Sequence, residues 1–140
     1  LTAWYNLSIG SHNITLESVS EYYNFSGLHE FKFNVIGELI VNTTIESAFY
    51  GENLLLTLSV YDINSFVVDP ISIKVYYNNE LTPIASFQQI SPTQQVVIPL
   101  PLWIQTGQHL FSFEITAPYF VPTLLIENVT VLMGQILQSS

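Results

Sequence analysis

Leu1-Thr2-Ala3-Trp4-Tyr5-Asn6-Leu7-Ser8-Ile9 is the stretch on which the reading of the chain turns. In an extended strand successive side chains point to opposite faces, so Leu1, Ala3, Tyr5, Leu7 and Ile9 share one face and Thr2, Asn6 and Ser8 the other. Only Trp4 breaks the pattern. A helix would scatter the five apolar residues around its surface, so the stretch is a strand that needs a groove for its odd-numbered face. Two grooves are possible in principle. The strand can pair within its own domain, or it can complete the sheet of another copy by strand addition, which makes the chain a fibre subunit. Gly10-Ser11-His12 reads as a flexible junction, which divides the chain into an N-terminal strand and linker over 1–12 and a domain over 13–140.

Burying Leu1, Tyr5, Leu7 and Ile9 is worth roughly 6 to 12 kcal/mol as an upper bound. Ordering nine residues costs on the order of 1 to 2 kcal/mol each, so ladder hydrogen bonds must supply the surplus. Such a joint needs its whole length.

Beyond the junction the alternation recurs. Asn13 to Val19 reads as a short strand and Asn24-Phe25-Ser26-Gly27 as a turn. Phe31, Phe33 and Val35 alternate with Lys32 and Asn34, and Leu39 to Ile45 continues as β-branched strand. Leu54, Leu56, Leu58 and Val60 form one apolar face, as do Ile71, Ile73, Val75 and Tyr77, and Phe111, Phe113 and Ile115. Asn78-Asn79 is expected to close a hairpin into Leu81 to Phe87. Thr123 to Met133 is apolar at both parities, which predicts a strand covered on both faces. Prolines 83, 92, 99, 101, 118 and 122 fall between or at the ends of these segments, where a missing N–H does least harm. Strand signals at such spacing, with no helical period, predict an all-β fold, an immunoglobulin-like β-sandwich with an N-terminal donor strand.

The composition narrows the function. Only 9% of residues are charged, against about 25% in ordinary soluble domains. Two lysines, three histidines and no arginine leave no basic patch, so nucleic acid is excluded as a partner. The surface must be polar but uncharged, and so indifferent to acid. The net charge of -9 near neutrality would become weakly positive in strong acid, which suits an acidic exterior. No Cys is available for a disulfide or thiolate site. No apolar run of 18 residues suggests a transmembrane segment. The chain opens on Leu1 rather than Met, as expected of a secreted chain whose leader has been removed, or of a fragment.

Five sequons stand in the chain, at Asn6, Asn13, Asn24, Asn42 and Asn128, where ten Asn and 25 Ser plus Thr predict roughly two by composition. N-linked glycans are therefore expected, with Asn24 favoured by its turn and Asn128 disfavoured by its covered strand. Chemistry is harder to find. His12, His29 and His109 have neither ligand nor triad spacing, Asp62 and Asp69 flank a loop without a calcium-binding pattern, and no glycine-rich phosphate loop is present. The expectation is a non-enzyme with no catalytic, cofactor or metal site.

In composition and layout, the whole chain resembles the subunit of the thread filaments of thermoacidophilic Sulfolobales. It shares the absence of Cys and Arg, the abundance of Tyr, Asn, Ser, Thr, Ile and Leu, several sequons, and the N-terminal alternating strand. That resemblance implies a glycosylated extracellular cell-surface appendage, a head-to-tail homopolymer joined by donor-strand complementation and serving adhesion or biofilm formation. A different class also fits the residues: an immunoglobulin-like cell-envelope or sugar-binding module whose first strand pairs in its own domain, with Trp4 or Trp103 available to stack on sugar.

Overall fold

The structure, a computed structural model, describes residues 7–20, 25–92 and 95–134; of residues 17–20 and 25–28 it describes the backbone alone. The fold is all-β, with no helix among the described residues. In chain order the strands are β1 (Gly10–Ser20), β2 (Phe25–Val35), β3 (Ile40–Ile45), β4 (Ala48–Phe49), β5 (Asn53–Tyr61), β6 (Ile71–Tyr77), β7 (Ala85–Ile90), β8 (Val96–Pro99), β9 (Gly107–Thr116) and β10 (Thr123–Leu132). They form a five-stranded sheet, β4-β10-β9-β6-β7, a three-stranded sheet, β3-β5-β8, and a separate hairpin, β1-β2.

The two larger sheets make the body. From the three-stranded sheet come Leu54, Leu56, Leu58, Val60, Val96 and Ile98; from the five-stranded sheet come Ile71, Ile73, Val75, Phe111, Phe113, Ile115, Val129 and Val131. All belong to one buried cluster, and they are the alternate residues on which the sequence pattern turns. Lys74 points outward from β6, opposite Glu114 on β9, as opposite charges across a ladder prefer.

Three expectations are corrected. β10 is not covered on both faces: Leu124 and Ile126 are 58% and 57% exposed while Val129 and Val131 are buried. β10 lies inside its sheet, between β4 and β9, but the second layer covers only one side of that sheet. The strand after the Asn78-Asn79 turn starts at Ala85 rather than Leu81. Both asparagines take the left-handed conformation that a tight reversal needs, at φ 48° and 60°. The chain then detours through Pro83, leaves Leu81 almost fully exposed, and rejoins the ladder where Ala85 meets Val75. Phe25, Ser26 and Gly27 are not a turn but the start of β2, opposite Ser20, Val19 and Ser18.

The hairpin is the least expected part. β1 and β2 pair antiparallel through eleven consecutive positions, from Gly10↔Val35 to Ser20↔Phe25, and neither pairs with a strand of the body. Residues 13–20 and 25–35, which the sequence assigns to the domain, therefore form a ribbon of their own. Gly10-Ser11-His12 is not a free junction either, because β1 already begins at Gly10, whose φ of +133° suits glycine alone.

Candidate functional site

A binding surface for an extended chain requires an unpaired strand edge and side-chain pockets beside it. β7 is an edge of the five-stranded sheet and β8 an edge of the three-stranded sheet. They are consecutive in sequence, so the chain crosses from one sheet to the other between Ile90 and Val96. Between these two edges opens a cleft of about 280 Å³ lined by Phe87, Ile90, Ser91, Gln95, Val96 and Val97. Phe87 and Ile90 are half-buried and pack on the core, and Val96 is buried, so the floor is apolar. β8 is only four residues long and pairs with β5 only from Asn53 to Leu56. Pro99 ends it, and Pro92 stands in the crossing that precedes it.

The described end of the N-terminal segment, residues 7–9, belongs to no strand and lies elsewhere. Leu7 and Ser8 are exposed, whereas Ile9 packs on Gly37 and Phe120 of its own chain. Gly37 is held between two backbone bonds, its N–H donating to the Tyr119 carbonyl at 2.8 Å and its carbonyl accepting from the Val121 N–H at 2.9 Å. A β-carbon there would stand 2.8 Å from the Phe120 ring and closer still to Ile9, so this packing needs glycine. His12 Nε2 donates to the Ser8 carbonyl at 2.5 Å and ties this segment to the hairpin. Leu7 and Ile9 join Phe66, Val67, Tyr119 and Phe120 around an open cleft of about 460 Å³. At this end Ile63 and Phe66 are 68% and 70% exposed. At the other end of β10, Leu102, Trp103 and Met133 are exposed as well.

Of the other residues singled out by sequence, Leu1, Ala3, Trp4, Tyr5, Asn6 and Asn24 lie outside the described residues. Asn13 and Asn42 are exposed on β1 and β3. Asn128 is exposed too, contrary to the expectation of a covered strand, because it projects from the outer face of β10. All three are thus sterically accessible to a modifying enzyme.

His12, His109, Asp62 and Asp69 have structural partners. In His109, Nε2 donates to the Gln105 carbonyl at 2.6 Å, so in the neutral ring Nδ1 accepts from the Tyr77 hydroxyl at 2.8 Å. Trp103 meets Tyr77 edge-on at 5.0 Å, and Tyr77 meets Phe111 in the same manner at 5.5 Å. Asp62 Oδ1 accepts the backbone N–H groups of Asn64 and Phe66, closing its loop, and Asp69 Oδ2 accepts from Ser91 Oγ at 3.1 Å. Among the described residues no three His, Asp or Glu side chains gather as a metal would require, and no helix is long and apolar enough to cross a membrane.

The cleft at the β7 and β8 edges was missed by sequence reasoning. Its signal was a very short apolar strand, Val96–Pro99, bounded by prolines, but only the sheet order reveals that β7 and β8 lie in different layers. No protein-family model matches the chain, and no curated protein matches it.

Proposed function

We propose that the chain is a structural subunit of a glycosylated extracellular filament, polymerising head to tail as its N-terminal strand enters the neighbouring subunit, with adhesion or biofilm formation as its role. In this reading the body is an immunoglobulin-like sandwich that the neighbour completes, as in the thread-filament subunits the sequence resembles. The observation that carries it is the apolar cleft between the two unpaired edges β7 and β8. An incoming strand there gains main-chain hydrogen bonds from an edge and a floor of Phe87, Ile90 and Val96 for its alternate side chains. Apolar residues exposed at both ends of β10 agree with a contact between unlike surfaces, which propagates rather than closes. The donated strand is Leu1 to Ile9, with Leu1, Ala3, Tyr5, Leu7 and Ile9 on its inner face, and Ile9 marks its base, where the chain meets Gly37 and Phe120 of its own body.

Substitutions at Leu7 and Ser8 test the joint. An aspartate on the inserted face must give up hydration or the pocket contact, whereas one on the outer face stays wet. At near-neutral pH, Leu7→Asp is expected to abolish fibres in negative stain while its far-UV CD remains β-like, and Ser8→Asp to assemble nearly as the parent does. Equal assembly of the two variants refutes the donated strand.

A sugar-binding module is the second reading, favoured by Trp103, half-exposed on the edge of Tyr77. It requires discrete monomers in light scattering and a Trp fluorescence change with oligosaccharide.

A further inference from the structure

The β1-β2 hairpin is two-faced. Its register aligns His12 with Phe33, Ile14 with Phe31 and Leu16 with His29 on one face. The other aligns Ser11 with Asn34, Asn13 with Lys32 and Thr15 with Glu30. Among the described side chains, the first face thus holds the apolar residues and two imidazoles, and the second holds the charges and the Asn13 sequon. A glycan on Asn13 would leave the apolar face open. Among the described residues nothing covers that face: Ile14, Leu16 and Phe31 are 44%, 54% and 52% exposed, and neither strand pairs with the body. A two-stranded ribbon with an uncovered apolar face is marginal in water, and a second layer is what stabilises it.

We infer that this face packs against the same face of a second copy, so that two hairpins form a small four-stranded stack. The contact is isologous, with one patch serving both partners. Three features favour the second hairpin over any other cover. The face carries no carboxylate or lysine among its described residues, so two copies meet without opposing carboxylates or ammonium groups. The alternative apolar surface, the outer side of the five-stranded sheet around Leu124 and Ile126, also carries Lys74, Glu114 and the exposed Asn128 sequon. A partner there would desolvate charges and meet any glycan. Third, the contact covers both uncovered ribbons at once.

The area fixes the setting in which this contact acts. Three half-exposed apolar side chains offer on the order of 300 Å² per copy, so a pair buries about 600 Å², half the lower end of a stable interface. One pair of hairpins therefore does not hold a dimer at micromolar concentration. Repeated along two filaments, the same contact acts many times at high effective concentration. The hairpin is thus a lateral zipper between filaments, an assignment that rests on the filament reading for its avidity but not for its geometry.

The absence of Cys from the sequence makes the test clean, because any disulfide in a single-Cys variant joins two copies. Ile14 lies mid-face beside Phe31, and Thr15 is the next residue, on the opposite face. At pH 8, filaments of Ile14→Cys are expected to form disulfide dimers on mild oxidation at least tenfold faster than filaments of Thr15→Cys. Phe31→Asp filaments are expected to be as long as those of the parent but single rather than bundled in negative stain. Equal cross-linking of Ile14→Cys and Thr15→Cys, or bundling of Phe31→Asp like the parent, overturns the zipper. If the parent forms no fibres, millimolar protein still decides: preferential Ile14→Cys dimers uphold the face while the filament reading falls, and their absence overturns both.

Discussion

The body and the hairpin carry the same alternation of apolar and polar residues and end in opposite states. In β9, Phe111, Phe113 and Ile115 are fully buried because a second sheet lies over them. In the hairpin, Ile14 and Phe31 stand opposite each other in an equally regular register and remain about half exposed. Period-2 patterning specifies which residues share a face. Whether anything covers that face is a property of the assembly of sheets, and of other copies. In the body the second layer belongs to the same chain; in the hairpin no described residue supplies one.

The largest effect expected from this difference is at Phe113, paired with Leu125 on one side and Val75 on the other. Phe113→Ala removes a fully buried ring from the shared core, so the free energy of unfolding should fall by about 3 to 5 kcal/mol. Urea denaturation followed by far-UV CD measures it. A loss below 1 kcal/mol would mean that the two sheets do not share one close-packed core, and the comparison would break at its firmer end.

Gly37→Ala acts between the two regions, where Ile9 leads into β1 and meets the body. The new methyl crowds Phe120 and Ile9, which must shift, at a cost of about 1 to 3 kcal/mol. Because Ile9 packs where that methyl would stand, the variant should also loosen residues 7–9 from the body. Urea denaturation and the protection of the Gly37 and Val121 amides from hydrogen exchange follow the two effects separately. Unchanged amide protection would show that Ile9 is not anchored at this point.

Much of the body was legible because its core strands are covered on one face only. Leu54 to Val60, Ile71 to Tyr77 and Phe111 to Ile115 alternate cleanly, and the structure puts the expected residues inside. β10 was misread because Leu124 and Ile126 are apolar yet uncovered, and composition does not distinguish an exposed leucine from a buried one. The Asn78-Asn79 reversal was legible from its local chemistry, while the detour through Pro83 was not. The extent of the hairpin was hidden because Asn24-Phe25-Ser26-Gly27 has turn composition, although Phe25 to Gly27 are needed to complete the ladder. The candidate site was the least legible part. A cleft between β7 and β8 exists only because consecutive strands enter different sheets, and adjacency in sequence favours the opposite expectation.

The smallest expected effect is at Phe31 in the unassembled protein. Phe31→Ser removes half of the Ile14–Phe31 cross-strand pair, and such pairs contribute about 0.2 to 1 kcal/mol relative to Ala–Ala. The ring is 52% exposed and leaves no cavity in a close-packed interior, so no further term of the kind expected at Phe113 is added. In dilute monomer the urea midpoint of the body should therefore hardly move, while amide protection along β1 and β2 falls together, because the ribbon has only its own register to hold it. Ile14→Ser should behave alike, since each residue is the other's partner. A loss at Phe31 as large as that at Phe113 would mean that the hairpin is already layered in the monomer, and the contrast between a covered body and an uncovered ribbon would be gone.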